Sequence, residues 1–111
     1  MSKLEIIPIE GLPEISPGDD LIEIIGHDGQ VISGDILVIT QKIISKAENQ
    51  IVKVDPEDPL SHKPLVEEES VRILRRRGDL IISETKHGFV CANAGIDLSN
   101  VERGQAALLP E

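Results

Sequence analysis

Aromatic residues and cysteine are almost absent from this sequence. Its 111 residues include no Trp, no Tyr, a single Phe at position 89 and a single cysteine, Cys91. One cysteine can form neither an intrachain disulfide nor a CxxC metal pair. With so few aromatic side chains, the core must be built chiefly from Ile, Leu and Val.

Basic residues are also scarce. Eleven Lys and Arg stand against twenty Asp and Glu, which gives a formal net charge of -9. Such a charge repels nucleic acid and anionic lipid, so we expect neither as a partner. An anionic ligand would have to be held by a local group of donors or through a metal ion.

Long hydrophobic runs are missing as well. The longest apolar runs are a few residues, whereas a membrane-spanning helix needs about 20. The start MSKLEIIPIE has no hydrophobic signal region. The sequence therefore predicts a cytoplasmic protein without a membrane span.

The length indicates one domain covering residues 1–111, without repeats or low-complexity tracts. This is small for a complete enzyme that joins two substrates. The chain also stops directly after a predicted strand, without a capping helix or polar tail. We therefore expect a partial domain.

The apolar pattern predicts a mixed α/β fold, with a mixed sheet and a few short helices. The run DILVIT at residues 35–40, bounded by Gly34, is typical of a strand covered on both faces. The other predicted strands are residues 4–9, 51–54, 79–85, 89–92 and 106–109. Gly11, Pro13 and Pro17 predict an irregular loop after the first strand, and the three prolines of residues 55–64 predict a second, exposed loop.

Three helices are predicted. Asp19 and Asp20 stand where the cap of a short helix over residues 21–25 would be. A second helix covers residues 41–48, with Asn49 as a left-handed stop. The third covers residues 65–77, because three glutamates near its start and three arginines near its end would complement the helix dipole.

Several other features favour an ordinary structural interpretation. His27, His62 and His87 lack metal-ligand spacing and are expected to be solvated in loops. Cys91 is expected to be a small buried hydrophobic residue. Neither a GxxxxGK[ST] nor a GxGxxG motif occurs, so the standard phosphate loops are excluded.

The segment at residues 86–101 is the strongest indication of a ligand site. An apolar strand leads into Asn93, Gly95, Asp97 and Asn100, which delivers polar groups at the end of a packed element. Lys46 follows the predicted central strand, in a region where α/β folds often hold ligands. On spacing alone, a solvated lysine is the simpler interpretation.

Five motifs in order resemble the coenzyme F-420-0:L-glutamate ligases. They are PIEGLP at residues 8–13, PGDDL at 17–21, GDILVIT at 34–40, SKAE at 45–48 and CANAGIDLSNV at 91–101. The resemblance covers essentially the whole chain and corresponds to the amino-terminal part of the family. It implies a larger ligase fold whose members form γ-glutamyl amide bonds on a deazaflavin cofactor, using GTP and a divalent metal.

The resemblance also implies roles for particular residues. The segment Glu10, Gly11, Leu12 and Pro13 matches a GTP contact, Lys46 the nucleotide-binding lysine, and Asp97 a ligand of Mg²⁺ or Mn²⁺. Asn100 matches a further GTP contact, and Gln41 lies at a polar nucleotide contact of variable type. No catalytic side chain is assigned, because attack of the glutamate amine on an acyl phosphate requires no protein nucleophile. A homodimer is also implied.

Two departures from the family shape the expectation. Asn49 stands where the family usually has Gly, and Asn tolerates the same left-handed turn. The family also continues past the position of Glu111, into a portion with an Asp-Thr pair for metal. Since hard divalent ions take about six oxygen ligands, Asp97 alone cannot complete a site.

We therefore expect this chain to be inactive by itself and to act with a carboxyl-terminal half, which could be a separate polypeptide. Its substrates would be coenzyme F-420-0, L-glutamate and GTP. Two alternatives remain: a non-catalytic paralogue that binds a nucleotide or a partner, and a small structural domain that keeps only the fold.

Overall fold

The computed structural model describes residues 2–27, 29–99 and 101–111. The helices in these ranges are α1 (Leu21–Gly26), α2 (Gln41–Ala47) and α3 (Lys63–Glu68). The strands are β1 (Ile51–Lys53), β2 (Ser70–Arg77), β3 (Leu80–Thr85), β4 (Val90–Ala92) and β5 (Gln105–Ala107). The predicted α/β architecture with a few short helices is confirmed. No described helix is long or apolar enough to cross a bilayer.

Two small antiparallel sheets organise the described strands. Strands β2, β3 and β4 form a meander in that order, and β1 pairs with β5. A bridge between Asp97 and Ala107 extends the second sheet. Its two backbone hydrogen bonds, of 3.0 and 2.8 Å, fix the main chain of Asp97 beside β5.

The hydrophobic core is small and aliphatic. Val66 of α3, Ile81 of β3 and Ala94 form a buried cluster, and Ile73 and Ile96 pack against it. Burial alternates along β3, as expected of a strand with one face covered. The meander and α3 therefore form one packed unit.

Local sequence signals set the ends of the first two helices. The Asp20 carboxylate accepts hydrogen bonds from the backbone N–H groups of Ile22 and Glu23, at 3.0 and 3.1 Å, and caps α1. Asn49 follows α2 with φ of 59°, so the left-handed turn predicted for it is confirmed. Strands β1, β3, β4 and β5 also lie where predicted, within one or two residues.

The predicted helix over residues 65–77 is wrong in its second half. The helix ends at Glu68, and residues Ser70–Arg77 form β2, which pairs with β3. The hydroxyl of Ser70 donates to the Val66 carbonyl at the helix end and is 2.7 Å from the Ser83 hydroxyl. The arginines therefore do not complement a helix dipole. They lie on a strand, where Arg72 and Arg76 pair with Glu84 and Glu67.

Two predicted strands are also wrong. Residues 4–9 and 35–40 are irregular and have no partner strand among the described residues. A β-branched sequence favours a strand, but a strand also needs a neighbour for its backbone groups. Four side chains of the second segment are exposed instead: Ile36, Leu37, Val38 and Ile39.

The histidines divide into two kinds. His27 and His87 are exposed, as expected for loop residues, whereas His62 is buried and only 8% exposed. It precedes α3, whose first turn holds Pro64, a position where proline costs no hydrogen bond. Cys91 is a free thiol and is half-buried rather than buried.

Candidate functional site

Helix α2 is anchored to the chain that follows β5. Ser45 is fully buried, and its hydroxyl donates a 2.6 Å hydrogen bond to the Leu108 carbonyl. The Gln41 side-chain amide donates to the Ser45 hydroxyl at 2.7 Å and to the same carbonyl at 3.2 Å. Gln41, predicted as a nucleotide contact, therefore holds the start of α2 in place.

Lys42 links α2 to the predicted metal ligand. Its Nζ lies 2.7 Å from the Asp97 carboxylate and 2.7 Å from the Ser99 hydroxyl. Both members of the pair are half-buried, with 24% and 33% of their side chains exposed. Sequence reasoning missed Lys42. Its one local signal is that it lies four residues before Lys46, which puts both on one helix face.

Lys46 faces the segment that carries the other predicted nucleotide contacts. Its Nζ forms an ion pair with Glu14, the residue directly after Pro13. The Gly18 backbone N–H donates to the Ala47 carbonyl at 2.9 Å, which holds this loop against the end of α2. The structure thus brings Lys46 close to the end of the predicted GTP-contacting segment.

The segment Glu10 to Pro13 is exposed. Its first residue is held through its backbone, because Glu10 N–H and C=O both bond to the Gln30 side chain, at 3.3 and 3.2 Å. Gly11 has φ of 76°, a left-handed conformation that glycine adopts without strain. Gly11, Leu12 and Pro13 are exposed, whereas the backbone groups of Glu10 already have a partner in Gln30.

A left-handed turn leads the chain to Asp97. Asn93, Ala94 and Gly95 all have positive φ, at 51°, 51° and 73°. The Asn93 side-chain oxygen accepts from the Ile81 backbone N–H at 3.3 Å and from Lys63 Nζ at 3.1 Å. Residues 93–95 therefore shape the turn. Two non-glycine residues in this region cost conformational energy, and such strain is common at functional sites.

The Asp97 carboxylate is held in its charged form. Burial alone raises the pKa of Asp97, but hydrogen bonds from Lys42 and from the backbone and hydroxyl of Ser99 outweigh it, so that the pKa lies below its ordinary value. Ser99 contributes two 2.7 Å hydrogen bonds to one oxygen, while Lys42 is paired with the other. Both carboxylate oxygens therefore have partners.

The described residues do not make a complete metal site. Within residues 2–27, 29–99 and 101–111, no group of three or more His, Cys, Asp or Glu side chains could hold a metal ion. A hard divalent cation takes about six oxygen ligands, of which Asp97 could supply one or two. Binding would also require the ion to displace Lys42 from that carboxylate.

A shallow groove of about 570 Å³ opens beside Lys46. Two acids and two lysines give its charged lining, namely Glu14, Glu102, Lys46 and Lys53. Ile51 and Val101 give part of its apolar lining. Its volume is in the range of small-molecule sites. Asp97 does not line it, so the predicted residues divide between this groove, near the last turn of α2, and the first turn of α2, where Lys42 lies.

Helix α2 therefore lies between two predicted parts of the site. Through Lys46 it approaches the loop after Pro13, and through Lys42 it contacts Asp97. These parts are far apart in sequence. Asn100, the remaining predicted GTP contact, lies outside the described residues.

Comparison with known proteins identifies the family. A family model described as F420-0:Gamma-glutamyl ligase matches residues 11–111. The coenzyme F420:L-glutamate ligase of Methanothermobacter thermautotrophicus is 40% identical over 96% of this chain, and that of Archaeoglobus fulgidus is 39% identical over 97%. The ligase of Methanopyrus kandleri is 36% identical over 98%.

The match covers only part of each relative. It takes in 50% of the Methanothermobacter protein and 49% of the Archaeoglobus protein, so the chain spans about half the length of the curated relatives it matches. The alignment with the Methanothermobacter ligase runs over 126 residues, which is more than the 111 residues of this chain. The Methanothermobacter ligase therefore also has internal residues that are absent here. The chain belongs to the F420-0:gamma-glutamyl ligase family, of which it resembles an amino-terminal part.

Proposed function

We propose that this chain forms the nucleotide-binding side of a GTP-dependent enzyme that joins L-glutamate to coenzyme F-420-0. The observation that carries the proposal is the position of α2 between the loop after Pro13 and Asp97. Family membership gives the reaction class. The two lysines of α2 give a physical reason why an anion could bind there.

The reaction needs an activated carboxylate. Transfer of the γ-phosphoryl group from GTP to a carboxylate of coenzyme F-420-0 would give an acyl phosphate and GDP. The glutamate amine would then attack the acyl carbon, lose a proton and release phosphate, so the bond formed is an amide between that carbon and the glutamate nitrogen. Each step needs positioning and charge neutralisation rather than a protein nucleophile.

Lys46 is the candidate for offsetting phosphate charge. In a protein with a net charge of -9, a phosphate requires a local cation. Lys46 is mostly buried, with 18% of its side chain exposed, whereas its partner Glu14 is 81% exposed. Glu14 can therefore move into solvent when a phosphate replaces it, while Lys46 stays in position.

Asp97 would supply part of a metal site rather than all of it. When bound, Mg²⁺ or Mn²⁺ would neutralise phosphate charge. The other ligands would have to come from residues beyond those that this chain contributes. Because these further metal ligands are needed, the chain alone would be inactive, and the second half of the ligase would complete the site.

The proposal is tested by calorimetry with GTP and Mn²⁺. The sample is the chain coexpressed with the half of the Methanothermobacter ligase that the chain does not match. Lys46→Met should weaken GTP binding by about tenfold, the size of one lost charged contact. Lys86→Met is the matched control, since Lys86 also pairs with a glutamate but lies on the β3–β4 turn. Equal affinity for GTP in both variants would contradict the role of Lys46.

The reaction itself is tested by phosphate release in the same preparation. Release should depend on both coenzyme F-420-0 and L-glutamate, and the chain alone should give none. If the coexpressed preparation binds GTP but forms no glutamyl product, the non-catalytic alternative is supported instead.

A further inference from the structure

Residues 36–39, Ile-Leu-Val-Ile, form an exposed segment without a charged residue. We call it the ILVI segment. Ile36 and Val38 are 91% and 89% exposed, whereas Leu37 and Ile39 are 43% and 37% exposed. Exposure thus alternates with a period of two, the side-chain period of a β-strand. Leu37 and Ile39 are partly covered by the chain itself, whereas Ile36 and Val38 are almost fully exposed to solvent.

The backbone of the ILVI segment is also unpaired. Among the residues that the structure describes, none of its N–H or C=O groups forms a hydrogen bond. Buried backbone groups in proteins are nearly always paired, so this segment can be covered only by something that supplies hydrogen bonds. A strand added beside it would supply them.

The two edges of the meander differ in charge, because β4 is short and uncharged whereas β2 carries charges that oppose pairing. Strand β2 is an edge strand and carries four arginines: Arg72, Arg75, Arg76 and Arg77. Charges of this kind prevent edge-to-edge pairing. The ILVI segment has no such protection, although it is the most apolar run in the chain.

The surface area indicates how much is left uncovered. The chain exposes 8126 Å², whereas a compact monomer of 12.1 kDa exposes about 6,000 Å². Its radius of gyration is 16.9 Å, against about 13 Å for a compact domain of this length. An excess of about 2,100 Å² on one partner corresponds to the large interfaces of permanent complexes.

We propose that the ILVI segment is a strand-addition site for the half of the ligase fold that this chain does not span, and that this half covers Ile36 and Val38. The missing length identifies the occupant, because the relatives contain about as many further residues as the chain itself. The proposal deepens the proposed function and rests on it in one respect, the need for that second half.

Copurification tests the site without GTP, metal or substrate. The tagged chain is coexpressed with the unmatched half of the Methanothermobacter ligase, and light scattering on the purified product should give a 1:1 complex or a multiple of it. Val38→Glu should reduce the copurified half at least tenfold, because it would bury a charge at the contact. Val71→Glu, on the protected edge strand β2, should reduce it less than twofold.

Hydrogen exchange on the complex tests the backbone pairing. The amides of residues 36–39 should exchange at least tenfold more slowly in the complex than in the chain alone. Equal losses in the two glutamate variants, or unchanged exchange in a complex that forms, would overturn the site. So would a dimer of the chain alone that Val38→Glu dissociates and that excludes the second half.

The two proposals fail in different ways. A complex that forms through the ILVI segment but binds no GTP would remove the proposed function and leave the site intact. GTP binding by a complex that still forms with Val38→Glu would remove the site and leave the nucleotide proposal intact.

Discussion

Lys42 and Ser99 together hold the Asp97 carboxylate in its charged form against the effect of burial. Lys42 neutralises one oxygen, while Ser99 bonds to the other. A predicted metal ligand is therefore already occupied by a cation of the protein itself. Any metal that binds Asp97 must compete with this ammonium group, and the charge of Lys42 would then be available to a phosphate.

Lys42→Met should raise the pKa of Asp97. The raising effect of burial would remain, while the hydrogen bond and charge of Lys42 would be lost. NMR titration of the Asp97 carboxyl carbon measures the change, with Lys86→Met as the control that should leave it unaltered. An unchanged pKa in Lys42→Met would show that the ion pair does not form in solution.

The same pair predicts a pH dependence of stability. A carboxylate with a lowered pKa stabilises the fold above its unfolded value of 3.8, and this contribution is lost as the pH falls through the folded value. The free energy of unfolding of Lys42→Met should therefore be lower than that of the native chain near pH 7. The difference, at most about 1 kcal/mol for a half-exposed pair, should shrink below pH 4.

His62 gives a second pH dependence, in a different range. Burial lowers its pKa, and the positive charge of Lys63 lowers it further. Its Nδ1 is buried and has no hydrogen-bond partner within the described part of the chain. Below pH 6.5 the unfolded chain takes up a proton more readily than the folded one, so stability should fall as the pH drops from 6.5 towards the folded pKa.

Urea unfolding of His62→Gln tests this dependence. The slope of stability against pH between 5 and 6.5 should be smaller in His62→Gln than in the native chain, whatever the cost of the substitution itself. His87→Gln is the matched control, because His87 is exposed and should leave the slope unchanged. If His62→Gln keeps the slope of stability against pH that the native chain shows, the pH dependence comes from other groups.

At the scale of elements, the turn before Asp97 depends on Gly95. Its φ is 73°, and a Cβ built there would lie 2.7 Å from the Leu109 side chain. Gly88, in the β3–β4 turn, has φ of 85° but open space around its Cβ. An alanine at Gly88 would therefore report backbone strain alone, whereas an alanine at Gly95 would report backbone strain together with a steric clash.

Gly88→Ala should cost about 1 to 2 kcal/mol, the cost of a left-handed residue with a side chain. Gly95→Ala should cost about 3 kcal/mol or more, since overpacking adds to that strain. Chemical denaturation measures both. Only Gly95→Ala should also shift the NMR signals of Asp97 and Ala107, which are bridged next to the turn. Equal costs would mean that Leu109 moves aside freely.

The elements also show which parts of the fold a sequence can reveal. The Asp20 cap and the Asn49 stop depend on neighbours in the chain, and the sequence predicts both. The helix predicted over residues 65–77 is wrong in its second half because glutamates followed by arginines fit a helix dipole but are also compatible with a strand. Pairing of β2 with β3 decided the outcome, and β-branched Val71 and Ile73 are compatible with it.

The sequence indicates candidate residues for the site, but it does not indicate the long-range contacts that those residues make. Motif resemblance implies roles for Lys46 and Asp97, which remain predictions, but it could not show that Gln41 bonds to Ser45 and Leu108. Nor could it reveal Lys42, whose partner lies 55 positions further along the chain. Contacts at that separation leave no periodic signal in a sequence.

At the scale of the whole molecule, the uncovered surface should be measurable by urea unfolding of the chain alone. The slope m grows with the surface exposed on unfolding. An unfolded chain of this mass exposes about 17,500 Å², and the folded chain already exposes 8126 Å².

The m value should therefore be about a fifth lower than is usual for a compact domain of 111 residues. Coexpression with the second half should raise both the m value and the midpoint, because a partner that binds only the folded state stabilises it. Val38→Glu should cancel that rise, whereas Val71→Glu should preserve it. An ordinary m value for the chain alone would mean that the excess surface is already buried in solution, by collapse or by self-association. Light scattering at the same concentration would separate these two cases.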